Sequence, residues 1–97
     1  MTKQLPFRIV AQVEMAPGHG AAGRRYEDEV LALLGRYGGT VERRLRSEDG
    51  ESETQILAFE VRAGFEAMLK DPERLALRAA LGDAAPTTRV TEMFDVP

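Results

Sequence analysis

A glycine-rich segment near the start of the chain has the spacing of a dinucleotide-binding motif. Gly18, Gly20 and Gly23 match G-x-G-x-x-G between a predicted strand and a predicted helix, and Glu42 follows at a plausible distance. Three features exclude this interpretation. The preceding strand carries Arg8, Gln12 and Glu14 on its second face, whereas the strand of a dinucleotide fold is buried on both faces. The next connection is a hairpin, and 97 residues are too few for a doubly wound sheet with a dinucleotide crevice. The leading interpretation is then a plain connecting loop, and the alternative is that the free N–H groups of this helix start, with Arg24 and Arg25 beside them, hold a carboxylate or phosphate.

Two glutamates and one histidine are the candidate catalytic residues. Glu14 and Glu60 are predicted on adjacent strands, on the sheet face that the helices leave uncovered. A half-buried carboxylate there would have a raised pKa and could act as a base, with Arg24 or Arg43 as the partner of an anionic ligand. The leading interpretation, however, is that both glutamates are partly exposed and pair with arginines across a dimer interface. His19 is a further candidate base, although its position between two glycines is typical of a solvated loop.

The composition excludes several functional classes and fits a single domain over residues 1–97. Without cysteine there are no disulfides, thiol nucleophiles or thiolate metal ligands, and we expect a cytoplasmic protein. One histidine without carboxylates at metal-ligand spacing predicts no metal, and we expect no cofactor. A net charge of −3 with interspersed acids and bases argues against a nucleic-acid partner, and no apolar run is long enough to span a bilayer.

One turn indicates how the strands that carry these residues are arranged. Asp49-Gly50 tolerates the positive φ angles of a type I′ turn, so Thr40–Arg46 and Thr54–Arg62 are predicted to pair antiparallel. Alternation over Phe7–Met15 predicts a strand before this hairpin, and Thr87–Val96 is predicted as a strand after it. With one helix in each connection, the order is β-α-β-β-α-β. We therefore predict an α+β, ferredoxin-like fold: a four-stranded antiparallel sheet with its helices on one face.

The helices are delimited by glycines and by one proline. The first is predicted to run from the glycine-rich segment to about Tyr37, where Gly38-Gly39 would end it. The second begins near Gly64 and restarts at Asp71-Pro72-Glu73, because an N-cap is followed there by a first-turn proline. It is predicted to end at Gly82.

The opposite sheet face predicts a dimer. Val10, Ile56 and Ala58 are expected on the two central strands, pointing away from the helices, and a bare apolar centre marks an interaction surface. RNA-recognition motifs share this strand order, but they stack bases on aromatic residues at these positions, which the chain lacks. The side chains of the second strand are predicted to alternate between the two faces without interruption. Val41, Arg43 and Leu45 would point to one face, and Glu42, Arg44 and Arg46 to the other.

Several stretches resemble the dimeric α/β-barrel superfamily, and in particular a small uncharacterised family within it. They are the first helix with its Tyr-Gly-Gly end (Tyr26–Gly39), the strand Ile56–Val61, Phe65-Glu66-Ala67, and Asp71-Pro72-Glu73 with Ala76-Leu77. The resemblance covers about residues 7–96. It implies two ferredoxin-like subunits packed sheet to sheet around a cleft. Members of the superfamily include cofactor-free monooxygenases, polyketide cyclases and proteins that degrade chlorinated aromatics or haem.

The chain departs from the active members of that superfamily. The monooxygenases typically place Asn and Trp in the cleft, and this sequence has neither. A haem-binding member would need a ligand histidine, and His19 is in a loop. The leading hypothesis is a homodimer that binds a small organic molecule between the sheets without catalysis. The alternatives are a cofactor-independent enzyme with Glu14 or Glu60 as base, and a dimerisation module with a packed interface.

Overall fold

The structure, a computed structural model, describes residues 6–97. Within that range the chain forms four strands and three α-helices, with short 3₁₀ turns at Leu34–Tyr37 and Gly82–Ala84. In chain order they are β1 (Phe7–Glu14), α1 (Gly20–Leu31), β2 (Gly39–Arg46), β3 (Ser52–Phe59), α2 (Arg62–Leu69), α3 (Pro72–Leu81) and β4 (Thr87–Glu92).

The four strands form one antiparallel sheet in the order β2-β3-β1-β4, with β1 and β3 at its centre. The helices cover one face, because alternate residues of the central strands are apolar there. The buried core on this side consists of Ile9, Tyr26, Val30, Leu34, Leu57, Phe59 and Met68. This arrangement confirms the ferredoxin-like prediction, with the second helix divided into α2 and α3.

The β2–β3 hairpin is confirmed, but the predicted type I′ turn is wrong. Such a turn needs positive φ at both central residues, and among the described residues only glycines have positive φ. Gly50 has a φ of 74°, and its N–H donates to the Ser47 carbonyl at 3.0 Å, so the turn spans more residues than the predicted one. The Asp49 carboxylate accepts the Ser47 hydroxyl at 2.7 Å and the Glu51 N–H at 3.0 Å, which fixes the loop.

A β-bulge in β2 corrects the predicted alternation of that strand. Val41 pairs with Leu57 and Arg43 with Ile56, so Glu42 is an extra residue between two consecutive pairs. The bulge exchanges the faces of everything after it. Arg44 and Arg46 consequently lie on the helix side of the sheet, opposite Gln55 and Glu53, while Arg43 and Leu45 lie on the uncovered side.

The end of α1 differs from the prediction, whereas the start of α3 agrees with it. Helix α1 ends at Leu31 rather than near Tyr37, and the 3₁₀ turn that follows ends at Gly38, which has a φ of 70°. Helix α3 begins as predicted. The Asp71 carboxylate caps it by accepting the N–H groups of Glu73 at 2.8 Å and Arg74 at 3.0 Å, and it also accepts the Tyr37 hydroxyl. Asp71 thereby joins the 3₁₀ turn to α3.

Candidate functional site

A cavity of about 350 Å³ lies between the helices and the covered face of the sheet; we call it the helix–sheet cavity. Its inner wall consists of fully buried residues of the sheet and α1, among them Ile9, Leu57 and Val30. Its opening is between α2–α3 and β4, because the lining residues there are only partly buried or exposed, such as Leu69 and Val90. Val90 of β4 is 42% exposed although it pairs with the inward-facing Ala11, so the cavity is open to solvent at that edge.

Polar side chains form the floor of this cavity. Gln55 alternates with Leu57 on the covered face of β3, and Glu27 follows Tyr26 on the buried side of α1, so both polar groups point between sheet and helix. The Gln55 amide Nε2 donates to Glu27 Oε1 at 2.8 Å and to Glu53 Oε1 at 2.9 Å. Only 5% of the Glu27 surface and 2% of the Gln55 surface are exposed. An otherwise apolar cavity therefore has hydrogen-bonding groups at one end.

The two floor carboxyl groups differ in their pKa. Burial raises the pKa of Glu27, and the nearby charge of Glu53 acts in the same direction, although the Gln55 hydrogen bond and the charges of Arg44 and Arg74 oppose it. Burial also disfavours an ionised Glu53, but hydrogen bonds from Arg44, Gln55 and Arg46 outweigh it and lower the Glu53 pKa. The pKa values of the two neighbouring carboxyl groups are thus shifted in opposite directions.

The bulge in β2 supplies the cations that hold Glu53. Arg44 Nε donates to Glu53 Oε1, Arg46 Nε donates to Glu53 Oε2 at 3.0 Å, and Arg44 Nη1 lies 2.8 Å from Asp28 of α1. Without the extra residue Glu42, both arginines would point to the uncovered face. Sequence reasoning missed this cluster, although the predicted position of Gln55 beside Leu57 and Phe59 was a signal, because an inward polar residue needs a partner.

The structure separates the two glutamates predicted as candidate bases. Glu14 pairs with Ser52, the first residue of β3, whereas Glu60 follows Phe59, the last. Eight strand positions separate Ser52 from Glu60, which corresponds to roughly 25 Å at the rise of an extended chain. Both carboxylates are exposed. They therefore lie at opposite ends of the sheet, outside the helix–sheet cavity.

The remaining predicted site residues are also apart from one another. His19 is an exposed residue at the start of α1, and its side chain does not cap the helix. Arg24 Nη1 donates to the Gly50 carbonyl at 3.0 Å, so this arginine fastens α1 to the hairpin loop. Arg43 is exposed on the uncovered face. The predicted anion site at the helix start stays a prediction, and the Glu51 carboxylate already lies close to Gly20 there.

The uncovered face has the apolar centre that the sequence predicts. Val10 pairs with Ile56, and both are half-buried, but Ala58, the third residue predicted there, is only 8% exposed and adds no bare surface. Beyond β4 the chain continues with Met93, whose N–H donates to the Arg8 carbonyl at 3.0 Å. Phe94 is 76% exposed and Val96 91% exposed, whereas the prediction extended the last strand to Val96. This face therefore adjoins exposed apolar side chains.

No cluster of three or more histidine, cysteine or acidic side chains is arranged to hold a metal ion within residues 6–97. No helix of the described chain is both long and apolar enough to cross a membrane.

Solved structures of other proteins share this ferredoxin-like architecture. PA3566 of Pseudomonas aeruginosa matches with a TM-score of 0.80 and 15% identity over 100% of both chains. SnoaB of Streptomyces nogalater, a cofactor-independent oxygenase, matches with a TM-score of 0.73 and 21% identity over 95% of this chain and 94% of its own. A candidate antibiotic biosynthesis monooxygenase of Nitrosomonas europaea has a TM-score of 0.74 at 14% identity, over 94% and 99%.

These likenesses establish the ferredoxin-like fold that the resemblance in the sequence implied. They do not establish an activity, because all three identities are low. No protein-family model matches the chain, and no curated protein matches its sequence.

Proposed function

We propose that the protein binds a small, largely apolar organic molecule in the helix–sheet cavity. The observation that carries this proposal is an open cavity of about 350 Å³, within the size range of small-molecule sites, with apolar walls and hydrogen-bonding groups at its floor. The cleft between two sheets, predicted from the sequence, is the alternative location.

We also propose that the working protein is a homodimer, with the uncovered sheet faces packed together. Val10 and Ile56 would lose their remaining contact with water, and Phe94 and Val96 could be covered by the second copy. Burial of apolar surface contributes about 25 cal/mol per Å². A cytoplasmic location stays a prediction from the absence of cysteine.

A cofactor-independent enzyme is the second candidate, because Glu27 is a buried carboxyl group with a raised pKa that lines the cavity. It would replace Glu14 and Glu60 as the base. SnoaB, which shares the fold, is described as a cofactor-independent oxygenase. Exchange of the acidic α-hydrogens of 2-tetralone for deuterium, followed by NMR in D₂O, tests this role. Catalysed exchange that disappears in Glu27→Gln supports it, and equal exchange in both proteins contradicts it.

A titration with 2-naphthol, observed by ¹H–¹⁵N NMR, tests the binding proposal. We expect saturable shifts at residues that line the cavity, such as Ile9, Leu57 and Met68. Ala11→Met fills the cavity from β1, where Ala11 is 3% exposed, and should abolish these shifts. Ala32→Met, an exposed change after α1, is the matched control. Shifts confined to Val10 and its neighbours would place the site between the sheets instead, and cavity shifts that persist unchanged in Ala11→Met would refute the proposal.

A further inference from the structure

Two arginines stand at the opening of the helix–sheet cavity. Arg74 and Arg78 are one turn apart on α3, line the cavity and are partly buried. Arg74 Nη1 donates to the Leu69 carbonyl at 3.2 Å, and Arg78 Nη1 donates to the Pro86 carbonyl at 3.0 Å. These bonds hold the guanidinium groups in place. Within residues 6–97 neither arginine has a carboxylate within ion-pair distance, unlike Arg36, Arg44 and Arg46, so their other N–H groups remain available.

Two hydrogen-bond acceptors at the floor lack a donor. Both N–H groups of the Gln55 amide are used, one by Glu27 Oε1 and one by Glu53 Oε1. In the described part of the chain, no group donates to Gln55 Oε1 or Glu27 Oε2. Both side chains are more than nine-tenths buried, and both line the cavity. Neither oxygen is sealed from solvent, since Arg44 Nη2 is the one fully enclosed side-chain nitrogen or oxygen without a partner among the described residues. Both acceptors are therefore open to a hydrogen-bond donor that enters the cavity.

The charges also fix the direction in which such a ligand would lie. An anionic group at the floor would be close to the Glu53 carboxylate and to Glu27, and like charges at short distance in a buried site repel strongly. At the opening, the same group would meet two guanidinium groups, which bind carboxylates through charge-assisted hydrogen bonds. The walls between these two ends are apolar side chains, including Ile9, Val30 and Leu57.

We propose that the ligand is an amphipathic acid, with its anionic group on Arg74 and Arg78 at the opening and a hydroxyl group on Glu27 and Gln55 at the floor. The inference rests on the proposed function and names the ligand class of the same cavity. A flat, apolar ring system joins the two polar ends. Arg74 and Arg78 would then select ligands by charge, and the floor would select them by hydrogen-bond donation.

The closing experiment uses 6-hydroxy-2-naphthoate as probe, with Kd measured by calorimetry. We compare 2-naphthol, which lacks the carboxylate, and 6-methoxy-2-naphthoate, which cannot donate a hydrogen bond. Loss of the carboxylate, or of the donating hydroxyl group, should raise Kd about ten- to a hundredfold, the contribution expected of one hydrogen bond to a charged group. Arg74→Gln with Arg78→Gln should remove the preference for 6-hydroxy-2-naphthoate over 2-naphthol. Arg25→Gln, an exposed change on α1 that does not line the cavity, should leave it intact.

Glu27→Gln tests the floor separately. The new side chain can still accept the Gln55 amide hydrogen through its carbonyl oxygen, which turns its own NH₂ towards the cavity. We therefore expect the variant to bind 6-methoxy-2-naphthoate at least as well as the hydroxy compound, with the dependence on Arg74 and Arg78 unchanged. A merely structural role for Glu27 would lower both affinities equally.

The outcomes separate this inference from the proposed function. If 2-naphthol binds the wild-type protein as tightly as the acid, or if the double arginine variant keeps the charge preference, the ligand class is wrong and the cavity proposal stands. If none of the three probes binds, or if Ala11→Met binds them all unchanged, both proposals fall.

Discussion

Replacement of Gly64 by alanine should destabilise the protein, against the ordinary rule for glycine in a helix. Gly64 lies in the first turn of α2, and alanine is favoured over glycine inside helices by up to about 1 kcal/mol. A Cβ on Gly64, however, would stand 2.3 Å from the carbonyl oxygen of Tyr37. Real Cβ contacts essentially never fall below 3.0 Å, so α2 and the 3₁₀ turn would have to separate by about 0.7 Å.

The size of the destabilisation depends on which atom the new Cβ would contact. Overpacking costs about 1–3 kcal/mol, and a backbone oxygen, unlike the end of a flexible side chain, cannot rotate aside, so the upper end applies. After the gain in helix propensity is subtracted, we expect a loss of about 2 kcal/mol. At an m-value of about 1–2 kcal/mol/M, the urea midpoint falls by roughly 1–2 M. The displaced helix carries Phe65 and Met68, which line the helix–sheet cavity, so ligand binding should weaken as well.

Gly35→Ala is the matched control. Gly35 lies in the 3₁₀ turn that Gly64 contacts, it has no positive φ, and a Cβ there would meet nothing within 4 Å. We expect this variant to be as stable as the parent or slightly more stable. Both variants and the parent would be unfolded in urea at equal protein concentration and followed by circular dichroism. A Gly64→Ala midpoint equal to or above that of Gly35→Ala would refute the close approach of α2 to the 3₁₀ turn.

Three further predictions concern the loop, the uncovered face and the buried carboxyl group. Gly50→Val should cost about 1–3 kcal/mol, because a β-branched residue resists a φ of 74°, whereas Gly50→Asn should cost less; equal urea midpoints would contradict the loop geometry. Light scattering at micromolar protein concentration should give the mass of a dimer, and a parent mass of 10.7 kDa would exclude the dimer. Ile56→Asp should weaken dimerisation about a hundredfold or more, because it buries an unpaired carboxylate at the interface. Folding raises the pKa of Glu27, so its contribution to stability is complete below the unfolded-state pKa and is lost as pH rises through the folded-state pKa. Glu27→Gln should therefore gain stability relative to the parent over that pH window. Parallel pH profiles of the unfolding free energy from pH 4 to 8 would show that burial of Glu27 carries no such penalty.

The strands and the hairpin were predictable because their signals are local. Alternation and one Asp-Gly pair assigned each central strand to its two faces correctly. The bulge was not predictable, since Glu42 differs in no obvious way from the charged residues around it, and one extra residue reverses the faces of Arg44 and Arg46. The end of α1 at Leu31 was also missed, because the apolar spacing continues unchanged into the 3₁₀ turn.

The candidate site was harder to predict for a different reason. Alternation tells which face Glu14 and Glu60 occupy, but their positions along the sheet depend on the β1–β3 register, which no local turn fixes. The cavity depends on how far α3 stands from β4, a tertiary distance that leaves no pattern in the sequence. Gln55 was the one visible sign, because its predicted face was the apolar one.

The order of pairing in the sheet has a consequence for the kinetics of folding. The β2–β3 hairpin joins neighbours in sequence, whereas the pairing of Ile9 with Glu92 closes almost the whole described chain into one loop. Closing the longer loop costs more chain entropy, so the β1–β4 pairing is expected to form late. The cavity takes Ile9 from one of these strands and Val90 from the other, so its wall is complete only after that closure. A ligand can then bind only when folding is finished. It should slow unfolding while leaving the folding rate unchanged, since interactions absent from the transition state act on the unfolding rate alone.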